Sequence, residues 1–188
     1  MLDFWFGPAD DPARSRPRQI WFRSTPEFDA ALRDAFLADL EAAAKGGLAA
    51  WEGSAEGALA LVLLLDQVPR NIFRGTTRAY TTDAAARAAA DRALKRGFDQ
   101  QVPRVWRRFF YMPFHHSEDF ADQRRARALF EALPPDPDHA DNLRYVYRYH
   151  EIIARFGRFP HRNAIVGRES TAEEIAFLAE EDASSAPR

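Results

Sequence analysis

The stretch TPEFDAALRDAFLADLEAAAKGG, Thr25 to Gly47, decides the fold class. Thr25 offers a capping hydroxyl, and Pro26 occupies the first helical position, where its missing N–H is harmless and its fixed φ suits the helix. Phe28, Leu32, Ala35, Phe36 and Leu40 recur three or four residues apart, so they share one helical face, and Gly46-Gly47 ends the run. The same punctuation repeats outward. Ser54 caps a helix built on the apolar run to Leu65, and Pro69 is expected to stop it. Thr82 or Asp83 opens an alanine-rich helix that Gly97 closes. Pro103 starts a short aromatic helix expected to end before Pro113.

Ser117 reads as the cap of a helix running to Leu133, and Pro134-Pro135-Asp136-Pro137 as a rigid turn too short to separate two cores. From about Asp138 a long helix reaches Phe156 and is closed by Gly157. Ser170 and Glu173 read as the capping box of a last helix, Thr171 to about Glu181, with 182–188 a frayed tail. No stretch shows the period of two that marks strands. The expectation is an all-α chain, an antiparallel array of about seven helices forming one domain over 1–188.

The 188 residues include 46% hydrophobic ones, with fifteen Phe and four Trp, enough for a substantial core and against wholesale disorder. With no Cys, disulfides, thiolate nucleophiles and cysteine-ligated metals are excluded, so any metal would need His and carboxylate ligands. The longest apolar run, Ala58 to Leu65, is far short of a membrane span, and MLDFWFG does not read as a signal peptide, which makes the cytosol the expected location. A net charge of −2 argues against nucleic acid or an anionic membrane as partner. Lys45 and Lys95 are the only lysines, so nearly every cation is an Arg, the side chain that forks onto carboxylates and phosphates.

Three segments carry the candidate chemistry. In the first, Asp66 follows the apolar run at a helix C-terminus, where the macrodipole disfavours a carboxylate, so it needs a cation; Arg70 and Arg74 are near in sequence, with Asn71 between them. In the second, His115, His116, Ser117, Glu118 and Asp119 crowd a loop-to-helix junction, suited to proton transfer or to a metal held by His115, His116 and Glu118. Helix capping explains Ser117 and Glu118 equally well. In the third, His150 lies among Val146, Ile153 and Ala154, the setting of a hydrogen-bonded core histidine, and Glu151 precedes Arg155 in the order of an ordinary helix ion pair.

The exit from that helix is harder to explain structurally. Arg155, Arg158, Arg162 and Arg168 gather with His161 and Asn163 within fourteen residues, a concentration that repels itself unless carboxylates or an anionic ligand collect there. Asp66 with Arg70 or Arg74 is expected to meet Arg155, Arg158 or Arg162 in one cluster.

Asp3-Phe4-Trp5-Phe6-Gly7, Leu64 to Asn71 with Phe73-Arg74-Gly75, Tyr111-Met112-Pro113-Phe114 with His116-Ser117-Glu118, and Arg155 to Asn163 resemble, in order and over nearly the whole chain, the signatures of family 924 of bacterial domains of unknown function. The resemblance implies a helical fold similar to the tetratricopeptide-like superfamily, with right-handed helix stacking. It implies no activity, and so assigns no catalytic residue. The family pattern favours Phe where Val68 stands, and relatives usually carry several residues before the first motif, so a short first helix is expected here.

The leading functional reading is an enzyme, hydrolytic in kind, acting on a small anionic substrate. Asp66, His116, Glu118, His150, Glu151 and His161 are its acid–base candidates, and Arg70, Asn71, Arg74, Arg155, Arg158, Arg162, Asn163 and Arg168 its ligand-binding ones. The alternative is a helical module binding an acidic peptide or a protein C-terminus. No phosphate loop, dinucleotide fingerprint, nucleophile elbow or zincin motif is present; a divalent metal is the one cofactor the residues leave open, and the oligomeric state has no signature.

Overall fold

A computed structural model describes residues 1–21, 23–135 and 139–185, for the last four of these the backbone only. Every regular element among them is helical: α1 (Leu2–Phe6), α2 (Pro26–Ala44), α3 (Ala55–Ile72), α4 (Asp83–Lys95), α5 (Arg104–His115), α6 (Phe120–Glu131), α7 (His139–Phe156) and α8 (Ala172–Ser185), joined in part by short 3₁₀ turns. That makes eight α-helices among the described residues: seven follow from caps and spacing, and the eighth, α1, is the short first helix expected from the resemblance, its five residues being too few for a period to show.

The caps work as the residue types dictate. Thr25 accepts from the Phe28 amide at 3.2 Å, and Ser54 from that of Gly57 at 3.1 Å. Helix α3 is buried on every side from Ala58 to Pro69, as a helix apolar all round must be, and packs against α2, α4 and α5. Each fully buried Leu or Val along it contributes roughly 1.5–3 kcal/mol. Small residues of α4, Ala86, Ala89, Ala90 and Ala93, face the core and let that helix approach α3 closely. The N-terminal aromatics plug the far side: Phe6 stacks on Trp106 at 4.2 Å, and Trp5, Phe6 and Trp21 set their rings edge-on to Phe109.

Four local expectations are corrected. Helix α3 does not stop at Pro69 but continues to Ile72. Proline leaves the carbonyl four residues back without its N–H, and the Thr82 hydroxyl takes that place, donating to the Leu65 oxygen at 2.6 Å. Helix α5 likewise runs through Pro113 to His115. Ser117 is not the cap of α6; Asp119 is, accepting from the Ala121 amide at 2.7 Å. The last capping box is shifted by one, with Thr171 and Glu174 exchanging bonds at 2.8 and 3.2 Å. The turn at Asp136-Pro137, the start of α7 at Asp138 and the tail at 186–188 lie outside the described residues, while the α8 backbone continues to Ser185. No helix among the described residues is long and apolar enough to cross a membrane.

Candidate functional site

The next-to-last turn of α3 and the C-cap of α5 bring Asp66 and His116 together. The Asp66 carboxylate, 1% exposed, lies 2.9 and 3.0 Å from His116 Nδ1, accepts from Gln67 Nε2 at 2.5 Å and stands 3.1 Å from Arg70 Nη1. Arg70 also donates to the Asp66 backbone oxygen at 2.7 Å and forks onto Asp83, at the start of α4, at 2.8 and 2.9 Å. The result is a continuous chain, His116–Asp66–Arg70–Asp83. Gln123 of α6 holds the junction behind it, donating to the His115 and Ser117 carbonyls at 2.7 and 2.6 Å.

Burial alone would raise the Asp66 pKa, but the Arg70 charge and the contacts from His116 and Gln67 override it and hold the carboxyl far below the usual range. Burial, followed by the Arg70 charge, pushes His116 below the ordinary imidazole value despite the pull of Asp66. Asp66 is therefore ionised and His116 neutral near pH 7. An ionised carboxylate accepts only, so the His116 proton sits on Nδ1, and Nε2, which makes no hydrogen bond to the described residues, carries a lone pair.

His116 opens onto two cavities. The smaller, about 340 Å³, is walled by Tyr80, Asp83, Ser117, Glu118, Arg162 and Arg168 among others. Three of its charges are satisfied within the fold: Asp83 by Arg70, and Glu118 by Arg168 at 2.7 and 2.9 Å, with a further bond from the Phe159 amide at 2.8 Å. Arg162 differs. It is 7% exposed, its Nε has no partner, and its side chain makes no ion pair or hydrogen bond with the described residues. Its guanidinium rests between the rings of Tyr80 at 4.8 Å and Phe159 at 4.3 Å, which steers it without neutralising it. Burial and then the charge of Arg70 lower its pKa.

The larger cavity, about 880 Å³, is a groove between the N-terminal segment, α3, α5 and α7, with Arg18, Arg23, Arg70, Arg74, Arg108, Tyr145 and Tyr149 in its wall. His115 lines it, stacked on Tyr149 at 4.3 Å and 15°. Burial and the neighbouring His116 keep His115 neutral, well below the usual imidazole range.

The family described as "Bacterial protein of unknown function (DUF924)" matches residues 1–182. The chain belongs to this family. A solved family-like structure, that of a protein of unknown function from Agrobacterium tumefaciens, shares 44% identity and a TM-score of 0.84 over 95% of this chain and 94% of that one. No curated protein matches.

Of the residues singled out in the sequence, the structure gathers Asp66, Arg70, His115, His116, Glu118, Arg162 and Arg168 at or between the two cavities. Asn71 and Arg74 reach the groove wall but are bound to Asp29, at 2.8 and 3.2 Å. The remaining cations of the exit loop are answered by α8, Arg155 pairing with Glu173 at 2.8 Å and Arg158 forking onto Glu174 at 2.6 and 2.8 Å. Asn163, 1% exposed, braces the same carboxylate at 3.3 Å. His150 is not a core histidine: it is half-buried beside Phe120 at 5.0 Å, away from both cavities, because its helical face meets the rim of α6. Glu151 and His161 are exposed and line neither cavity.

His115, His116 and Glu118 do not converge as metal ligands, since Glu118 is turned to Arg168 and the Phe159 amide, and no group of three or more His, Asp or Glu among the described residues is placed to hold a metal ion. Tyr80, Asp83, Tyr145 and Tyr149 were missed. Asp83 read only as a helix opener, and neither Tyr80, in a 3₁₀ turn, nor Tyr145 and Tyr149, on α7, carries a local signal of a site.

Proposed function

We propose that this protein is an acid–base enzyme that hydrolyses a small anionic ester, with His116 as general base, Asp66 as the residue that orients it, and Arg162 as the anchor of the substrate's negative charge. The observation that carries the reading is the buried, unpaired Arg162 facing the same cavity as an imidazole whose Nδ1 is tied to an ionised carboxylate. A charge that close to complete burial is costly unless an anion joins it. In the reaction, Nε2 takes a proton from water as the water oxygen bonds to the ester's phosphorus or carbon, and returns that proton to the departing oxygen. The products are an acid and an alcohol. Asp66 stabilises the imidazolium in between, and Arg162 the developing oxyanion.

The test is a panel of small phosphate and carboxylate esters, scored by turnover and by ligand-induced shift of the melting temperature. His116→Gln is expected to lower kcat by about 10²–10⁴ with binding kept, and Arg162→Gln to raise KM by roughly 10- to 100-fold, the worth of a charge-assisted bond. Turnover in His116→Gln at the parent rate would overturn the assignment. Saturable binding of an acidic peptide without turnover of any ester would replace it with the binding-module reading.

A further inference from the structure

The two cavities share one wall residue among those described, His116. Their characters differ. The smaller is polar and holds the unpaired Arg162, and its size, about 340 Å³, is near the lower limit for a ligand pocket. The larger, about 880 Å³, combines Trp21, Met112, Phe130, Tyr145 and Tyr149 with five arginines against the single carboxylate of Asp141. Tyr145 is 55% exposed, an unusual amount for a large ring at a cavity wall, and sits one helical turn before Tyr149 on the same face of α7.

We infer that the substrate has two halves: an anionic head that enters the smaller cavity onto Arg162, and a planar aromatic or heteroaromatic body that lies in the larger groove against Tyr145. The bond joining them crosses His116. This deepens the reading of His116 and Arg162 given above and rests on it. Each half meets matching chemistry. The head replaces the anion that Arg162 lacks, and the body offers a π-face to exposed tyrosine and acceptor atoms to the arginine-rich wall. An aryl ester or a nucleotide has this composition; an aliphatic ester has only the head.

Calorimetry on the full chain separates the halves. The probes are inorganic phosphate, ribose 5-phosphate and nucleoside 5′-monophosphates, with acetate and benzoate as a second pair that distinguishes a phosphate from a carboxylate head. The aromatic member of one pair is expected to bind about tenfold or more tighter than its bare head, the gain of one stacked ring. Tyr145→Ala, at an exposed position whose melting temperature is checked beside the parent, should erase that gain and leave binding of the head unchanged. Arg162→Gln should abolish both. Equal affinity of head and aromatic compound, or an undiminished aromatic gain in Tyr145→Ala, would overturn the two-part substrate while leaving the role of Arg162 intact. Failure of every anion to bind would instead remove the reading on which it rests.

Discussion

Replacing Arg162 by Met is expected to stabilise the ligand-free protein. The guanidinium is 7% exposed, its Nε has no partner, and no carboxylate of the described residues pairs with it. An unsatisfied buried donor costs about 1–3 kcal/mol, and Met removes it. Against this stand two ring contacts, with Tyr80 at 4.8 Å and Phe159 at 4.3 Å. Each contributes about 0.5–1 kcal/mol, part of which the Met sulfur retains. The guanidinium face toward the cavity keeps some hydration, so the full cost of burying an ion does not apply. The balance is a gain of about 1 kcal/mol, or about 2–4 °C in melting temperature for a chain this long. Urea unfolding and calorimetry in a zwitterionic buffer free of multivalent anions measure it. Adding a ligand at one hundred times its Kd should then raise the parent by about 2.7 kcal/mol and leave Arg162→Met unmoved, inverting their order. If Met destabilises the anion-free protein by more than about 1 kcal/mol, the guanidinium belongs to the fold rather than to a ligand, and the argument from its isolation fails.

Acid should destabilise the protein earlier than its carboxylates alone require. His115 and His116 have folded pKa values below the ordinary imidazole value, so the unfolded chain binds more protons; stability is complete above about pH 6.5 and falls below it, by up to about 1.4 kcal/mol per pH unit for each. His161 is also lowered, to about 4, by burial and then by the Arg162 charge, but the residue is exposed, so water weakens both effects and it adds little. A urea-derived stability that is flat from pH 7 to 5 would contradict this, and His116→Gln should reduce the slope. Gly57→Ala should destabilise by about 1–3 kcal/mol although Ala is the better helix former, because the new Cβ would lie 2.1 Å from the Trp51 carbonyl oxygen; Gly53→Ala, with nothing within 4 Å, is the control. Glu174→Ala removes the partner of Arg158 and half of the last capping box, and Glu174 is held down to about 2 chiefly by that Arg, with the Thr171 amide helping. Hydrogen exchange should speed up in α8 from Ala172 onward and stay unchanged in α3; protection in α8 equal to the parent's would show that its apolar contacts alone hold it.

The all-α class was legible because caps and spacing agree, as in α2, where Thr25, Pro26 and the Phe28 to Leu40 stripe all point one way. Errors came where a local rule met a distant donor. Proline reads as a stop, and nothing near Pro69 in sequence announces that Thr82 will serve the carbonyl left free. The candidate site divides similarly. Asp66 after an unbroken apolar run advertises its need for a cation, although α3 runs on past it to Ile72, and Arg70, one turn away, was visible as the answer. Which Arg of the exit loop would remain unpaired was not, because Glu173 and Glu174 arrive from α8 and Glu118 from across the chain. The groove wall formed by Pro17 to Gln19, Trp21, Arg23 and Ser24 left no periodic trace, its regular part being the 3₁₀ turn Gln19–Trp21.

The bond from Thr82 to the Leu65 carbonyl also makes positions 69 and 82 genetically dependent on each other. With Pro69 in place, losing the Thr82 hydroxyl strands a buried carbonyl. Restoring an N–H by Pro69→Ala brings a competing backbone donor, after which Thr82→Val should become nearly harmless. A chain drifting through sequence space thus meets a cost at position 82 whose size depends on what stands at 69. Because Asp83 follows Thr82 directly and anchors Arg70, that epistasis reaches into the cavity walls: substitutions remote from any ligand would be selected in pairs, and a survey of single changes would misjudge both.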